Sequence, residues 1–455
     1  MCREVPLAKL HKKSCCNLDN ALQAGNVNEL LHKPEYSHCH YDLIIVGAGP
    51  SGLFCALNSM QKGKKILILE KKSSPGHKLL ISGTGQCNIT HDGDIQDFLD
   101  HYGDQGRFLR PALLGFTNID LISFFNEKGL GMIREKGDKM FPETKRARDV
   151  LNIITTQCRE LGVVIKCNQA VKSITRNENG FLVGCIGGSY GSRLLVIATG
   201  GCSYPATGSC GDGYRFAGIL GHRITEIGPA LTPLIITDYP FSDLAGLSFP
   251  NMKISLYRHA KIREHSGDIL FTHEGLSGPG ILDLSRYIRA KDILKLSFVP
   301  DGKRKALEEW LVDKARLDGA RSLLSVLADL PRFVPSSVPL YPRLIKRMLE
   351  ISGIATDLKM AQLTRDMRSC LIDNLTGLSL VVSDLCGYNT AMVTRGGVET
   401  MEVDPKTMQS RLVKGLYLVG EVLDVDGDTG GYNLQAAFST GMLAARSIKS
   451  NLSSS

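Results

Sequence analysis

Three glycines, Gly47, Gly49 and Gly52, stand within Asp42-Leu-Ile-Ile-Val-Gly-Ala-Gly-Pro-Ser-Gly52. Their G-x-G-x-x-G spacing follows a β-branched run and precedes a helical pattern, the context in which this motif cradles a dinucleotide pyrophosphate. Gly47 permits the tight turn, Gly49 lets the main chain approach a phosphate, and Gly52 lets helix and strand pack closely. Pro50 and Ser51 open the helix, whose N-terminal N–H groups and positive dipole end favour an anion. Glu70 ends the second strand of the unit, placed to accept hydrogen bonds from ribose hydroxyls with an unphosphorylated 2′ position.

The fingerprint alone does not separate FAD from NAD. The far end of the chain favours FAD. Gly415-Leu-Tyr-Leu-Val-Gly-Glu421 reads as a late strand ending at Gly420 and Glu421, which would return beside the first strand. The run from Asp424 to Gln435 then enters the last helix. Gly430 and Gly431 would let the main chain lie against a flat ring, and the N–H groups near Asn433, Leu434 and Gln435 would stabilise negative charge on it. Asn433 serves equally as a helix N-cap. Asp424, Asp426 and Asp428 alternate as in a calcium loop, but the closing Glu is missing, so no metal is expected.

The elements that must position these groups follow from periodicity. Asp42–Val46, Lys65–Leu69, Val163–Lys166, Leu194–Ala198 and Gly415–Val419 read as strands, and Ser51–Gln61, Ile119–Gly129, Ala147–Leu161 and Leu434–Ser450 as helices. From Gly221 to Pro300 short alternating segments such as Lys253–Tyr257 replace them. From Lys303 to Leu363 the chain is Leu- and charge-rich with helical spacing. The expected architecture is α/β: a discontinuous Rossmann-like FAD-binding domain with an inserted β-barrel-like domain and a small helical domain. The boundaries expected are 1–40 for an N-terminal extension, 41–206 and 396–455 for the FAD domain, 207–302 and 370–395 for the β-rich insertion, and 303–369 for the helical one.

Composition is compatible with this. The 455 residues allow about three domain-sized units. Glycine, at 47 residues, exceeds the usual ~7%. No run approaches the roughly 18 apolar residues of a membrane span. The N-terminus lacks the apolar core of a secretory signal, and Glu4 and Asp19 interrupt a basic targeting peptide. Thirteen cysteines without any CxxC pair suggest neither a zinc site nor a secreted disulfide framework, so reduced thiols in the cytoplasm are expected. The net charge of +8 is dispersed and the chain has one Trp, which argues against a nucleic-acid partner.

Six motifs together carry a family resemblance: GAGPSG, GHKLLISGTGQCNITH, KMFPETKRARDVL, VIATGGCSYPATGSCGDGY, DILFTHEGLSGPGILDLS and TMQSRLVKGLYLVGEVLDVDGDTGGYNLQAAFSTG. In content and order they resemble the BaiN/RdsA flavoproteins, also known as the aminoacetone oxidase family of FAD-binding enzymes, from about Asp42 to Ile448. The resemblance implies that Lys71, Lys78, the loop of Ser82, Gly83, Gln86, Cys87 and Asn88, then Val171 and Thr199, Gly200 and Gly201 join the glycines, Glu70 and Gly420–Gln435 around FAD. Val171 would offer main-chain hydrogen bonds to the adenine. Two departures bear on the substrate: Gln86 stands where the family has Arg, and Lys139-Met140 replaces an Arg before the Phe-Pro pair. Without those guanidinium groups, bidentate anion recognition is not expected.

Candidates for chemistry are few, because a flavin carries the reaction and the protein orients it. Cys87 has no CxxC partner and reads as a packed thiol. Tyr432 would either donate its hydroxyl to a substrate carbonyl or stack at the flavin edge. His273 and Glu274 would be proton donors from the insertion or parts of a structural turn. The leading expectation is an FAD-dependent oxidoreductase passing hydride from NAD(P)H to an unsaturated or carbonyl-conjugated small molecule. An amine or aminoketone oxidase using oxygen is one alternative, and an FAD-containing RNA-binding or RNA-modifying protein is another of a different class.

Overall fold

The computed structural model describes residues 40–334 and 338–453. Of the expected N-terminal extension only His40 falls within them. It opens β1 (His40–Val46), which leads through α1 (Pro50–Ser59) to β2 (Ile66–Leu69). Leu43–Val46 and all of β2 are buried apolar runs, as strands covered on both faces must be. Proline occupies the first turn of α1, where no N–H is needed, and Leu53, Phe54, Ala56 and Leu57 bury the helix against the sheet.

β1 and β2 are parallel, with Leu43 opposite Ile66, and Val164–Lys166 extends the sheet beyond β2. On its other side β1 pairs in parallel with the long strand Gly188–Ile197. The first half of that strand holds an antiparallel meander, Gly180–Cys185 and Val171–Asn177, which periodicity did not anticipate. Beside its last residues lies Leu416–Leu418, with Leu418 opposite Ile197. Strands from residues near 45, 197 and 418 therefore end side by side, the position at which open parallel sheets bind ligands. The C-terminal helix, Tyr432–Ser453, packs on α1 through Phe54 and Phe438, ring centroids 5.2 Å apart.

The insertion closes into a barrel of six antiparallel strands, in the order Leu234–Ile236, Gly275–Ser277, Ala260–Phe271, Ser248–Arg258, Ile293–Ser297 and Leu378–Leu385. The expected helical region departs between the last two of these neighbours. Its helices Arg304–Leu317, Pro342–Ile351 and Arg365–Gly377 share one buried apolar cluster with the barrel, in which Ile254 and Leu294 join Leu307 and Leu344. A short ribbon, Gly228–Ala230 against Val393–Arg395, links the barrel to the sheet.

One stretch, Asp97–Glu127, has the length and mean hydropathy, 1.2, of a membrane span. It is a 3-10 segment followed by two separate ten-residue helices, with extended Phe116 between them. Ten helical residues cover about 15 Å, half of a hydrocarbon core.

Candidate cofactor site

The three fingerprint glycines have different reasons to be glycine. Gly47 has φ +107°, and a Cβ there would lie 2.4 Å from the Ala198 carbonyl oxygen. A Cβ on Gly52 would lie 2.1 Å from the Gly47 oxygen. Both are demanded by the packing of α1 against the sheet. A Cβ on Gly49 would meet no protein atom within 4 Å. The space it would enter belongs to a cavity of about 660 Å³, a volume typical of cofactor sites. Gly49 is also the N-cap of α1, which has neither a side-chain cap nor an acidic residue in its first turn. The helix start thus keeps its anion-attracting end toward the cavity.

Glu70 is fixed at the tip of β2: its Oε2 accepts from the Ala48 N–H and its Oε1 from the Lys72 N–H, each at 2.9 Å. Lys71 reaches Asp212 at 2.7 Å, and although burial opposes its charge, Asp212 and Cys210 hold the ammonium above its ordinary range. Lys78 pairs with Glu421 at 2.6 Å, and Glu421 also accepts from the Thr394 N–H at 2.8 Å. Two buried acceptors of the cavity wall, Asn88 Oδ1 and Gln169 Oε1, have no hydrogen-bond partner. Buried polar atoms are nearly always satisfied, so both suit a ligand that brings its own donors.

The structure gathers most of the expected cofactor residues on this one cavity. Gly47, Gly49, Pro50 and Ser51 line it from the phosphate turn, with Glu70, Lys71 and Lys78 beside them. Ser82, Gly83, Gln86 and Asn88 line it from the following loop, Val171 from the start of the edge strand, and Thr199 and Gly200 from the turn after Gly188–Ile197. Gly420, Glu421, Gly430, Gly431, Asn433 and Leu434 complete it from the C-terminal segment.

Others stand behind the wall. Gly52 is packed as described, and a Cβ on Gly201 would strike Thr394 Oγ1 at 2.5 Å. Cys87 is fully buried, and burial pushes its thiol up to about 12. Asp424 is also outside the lining, with burial holding its carboxyl above the usual range. Gln435 accepts from Thr90 Oγ1 and donates to the Phe116 carbonyl. Tyr432 is buried and stacks on His91 and His101, centroids 5.1 and 4.0 Å away, so its ring is engaged by these two imidazoles off the cavity lining. His273 and Glu274 are exposed in the turn after Ala260–Phe271 and take no part in the cavity. The turn reading is the one the geometry supports for both.

What sequence reasoning did not single out is the opposite wall. Leu231, Leu282, Met392 and Val393 form an apolar face, and Asp428 and Thr429 look into the same space. Arg286, nearly buried, ion-pairs with Asp426 at 2.8 Å and with Asp428 at 3.0 Å. Asp428 meets His101 Nδ1 at 2.9 Å through its other oxygen. Two of the alternating acids, Asp426 and Asp428, are therefore engaged by one guanidinium from the barrel side. Their spacing was visible in the sequence; their partner, some 140 residues earlier, was not.

A mixed sheet with a parallel core, a glycine turn, a fixed acid at the second strand tip and a cavity lined by them define a dinucleotide-binding α/β protein. The chain belongs to the HI0933-like protein Rossmann domain family, which it matches over residues 41–447. It is 32% identical over 412 residues to the ribosomal RNA dihydrouridine synthase of Escherichia coli K12, covering 90% of this chain and 98% of that one. It is likewise 32% identical over 419 residues to the 3-dehydro-bile acid delta(4,6)-reductase of Clostridium scindens, covering 88% and 97%. Among solved structures, the 3-ketosteroid-delta4-(5alpha)-dehydrogenase of Rhodococcus jostii RHA1 aligns with a TM-score of 0.49 at 13% identity, over 92% of this chain and 98% of that one. The expected resemblance to the BaiN/RdsA flavoproteins thus holds, and the chain is an FAD-dependent oxidoreductase.

Proposed function

We propose that this protein uses NAD(P)H to saturate a carbon–carbon double bond conjugated to a carbonyl in a small, largely apolar molecule. The observation that carries the reading is the pairing of the apolar wall, Leu231, Leu282, Met392 and Val393, with Asp428 and Thr429 across one cavity. Such a pocket suits an apolar skeleton presenting one polar group. The names of the two relatives describe the same bond change: dihydrouridine formation and delta(4,6) reduction each saturate a double bond conjugated to a carbonyl.

FAD, when bound, supplies hydride chemistry. The fingerprint turn and the start of α1 would hold its pyrophosphate, Glu70 its adenosine ribose, and Val171 with Gln169 its adenine end. Lys78 and Glu421 neutralise each other beside the cavity, so the pair offers hydrogen bonds without adding net charge. A reducing, cytoplasmic setting fits the nine cysteines among the described residues, all free.

The test is an anaerobic screen of the yellow holoprotein at the flavin band. NADH or NADPH is expected to bleach it, and androstenedione, a conjugated ketone, to restore it. Intact absorbance with both nicotinamides, together with bleaching by aminoacetone, would replace this reading with the amine oxidase one.

A further inference from the structure

Saturating a conjugated double bond requires a proton as well as a hydride, and the motifs name no donor for it. His273 is remote from the cavity, and Tyr432 is locked in a stack. The cluster around Asp428 has the missing properties. Asp428 is in the cavity wall, its Oδ1 ion-paired to Arg286 and its Oδ2 2.9 Å from His101 Nδ1. The His101 side chain is 39% exposed and so meets solvent. The two are thus consecutive stations between bulk water and the cavity.

Arg286 is one cation facing two carboxylates, Asp426 and Asp428. Asp428 shares that guanidinium with Asp426, and its other oxygen is in hydrogen-bond reach of His101 Nδ1. Arg286 also donates to the His101 carbonyl at 3.0 Å, and the Asp428 N–H donates to the same oxygen. Both stations are therefore held in register by one guanidinium and one carbonyl. Stacking on Tyr432 fixes the plane of the His101 ring.

We infer that Asp428, backed by His101 and held by Arg286, delivers the proton of the proposed reduction. The inference rests on the reading above that a conjugated double bond is reduced. In that step the π bond is replaced by two C–H bonds. The electron pair arrives with one hydrogen as hydride from the FAD the family binds. The second hydrogen passes from the hydrogen bond between His101 Nδ1 and Asp428 Oδ2 to the other carbon, and solvent reaching these two partly exposed side chains replaces it.

Other titratable and charged groups face Asp428 and must be told apart from it. Asp283, on the helix Pro279–Ser285, accepts from the Thr429 N–H at 2.6 Å, and burial pushes its carboxyl up to about 6. Burial lowers His265 on the barrel strand and raises Tyr102 and Tyr432, all of which also feel the charge of Asp428. Asp426, Arg286 and His91, whose ring centroid lies 6.5 Å from that of His101, belong to the same set.

The experiment photoreduces holoprotein anaerobically, then mixes it with androstenedione or with a uridine-containing oligoribonucleotide and follows reoxidation of the flavin. D428N is expected to retain FAD, yet at saturating probe to be reoxidised at least about 100-fold more slowly than wild type. Asp428→Glu should recover part of the rate. The wild-type rate should depend on pH, and H101Q should lose that dependence while D283N keeps it. Reoxidation of D428N at the wild-type rate, or an unchanged pH profile in H101Q, overturns the proton route while leaving the reductase reading intact. Reoxidation by the oligoribonucleotide alone leaves the proton route standing and removes the apolar substrate. Reoxidation of wild type by neither probe removes both. Should D428N fail to hold FAD, the pH profile of H101Q decides alone.

Discussion

The two walls of the cavity are built on different principles. The glycine-rich wall exposes bare backbone: Gly47, Gly49, Gly200, Gly420 and Gly430 line the cavity without side chains. The barrel-side wall is made of side chains, Leu231, Leu282, Met392 and Val393, carried by the ribbon, a barrel helix and their flanking loops. A backbone wall recognises the part of a ligand that every dinucleotide shares. A side-chain wall can change with the substrate while the fold and the cofactor stay the same.

The sharpest way to break that comparison lies inside one motif. Gly52→Val should abolish folding as well as FAD binding, because its Cβ would sit 2.1 Å from the Gly47 carbonyl oxygen, a backbone atom that cannot move aside. Soluble yield and thermal melting report it. Gly49→Val should leave the apoprotein's melting temperature nearly unchanged, since no protein atom lies within 4 Å of that Cβ. It should weaken FAD binding by roughly 100-fold, about 2.7 kcal/mol. Equal damage to melting in both variants would show that the turn is shaped by packing alone.

On the opposite wall, Leu282→Ala should raise KM for androstenedione about tenfold, the scale expected when an apolar contact is lost, with FAD content unchanged. A loss of FAD instead would mean that the two walls are not separable. The smallest effect concerns Asp283. Its carboxyl is raised from 3.8 to about 6 by burial, so between those values the folded chain keeps a proton that the unfolded chain has released. Stability then falls as pH rises through that window. Asp283→Asn removes the titration, so its melting temperature should lie about 2 °C above wild type at pH 7.5 and converge with it near pH 4, by scanning calorimetry.

Much of the site was legible because its recognition is local. A strand, a glycine turn and a helix N-terminus follow one another within a dozen residues, and each has a compositional signal. The return of the late strand was readable from its apolar run and terminal Gly-Glu. The meander Val171–Asn177 and Gly180–Cys185 escaped notice because exposed residues dominate its first strand. The alternation of Asp424, Asp426 and Asp428 was seen, but it resembled a metal loop with a missing ligand. Only the packing of helix Pro279–Ser285 against that loop brings Arg286 between two of the acids.

The sequence by itself determined the dinucleotide fold, its cofactor and the family, because glycine spacing and buried strand runs are properties of contiguous residues. Tertiary structure decided which side chains share the cavity with that cofactor. Leu231, Leu282, Met392 and Asp428 are separated by tens to nearly two hundred residues, and no local pattern records their meeting. Closure of the barrel and its docking against the sheet bring them together, through non-local burial that a one-dimensional reading of periodicity does not contain.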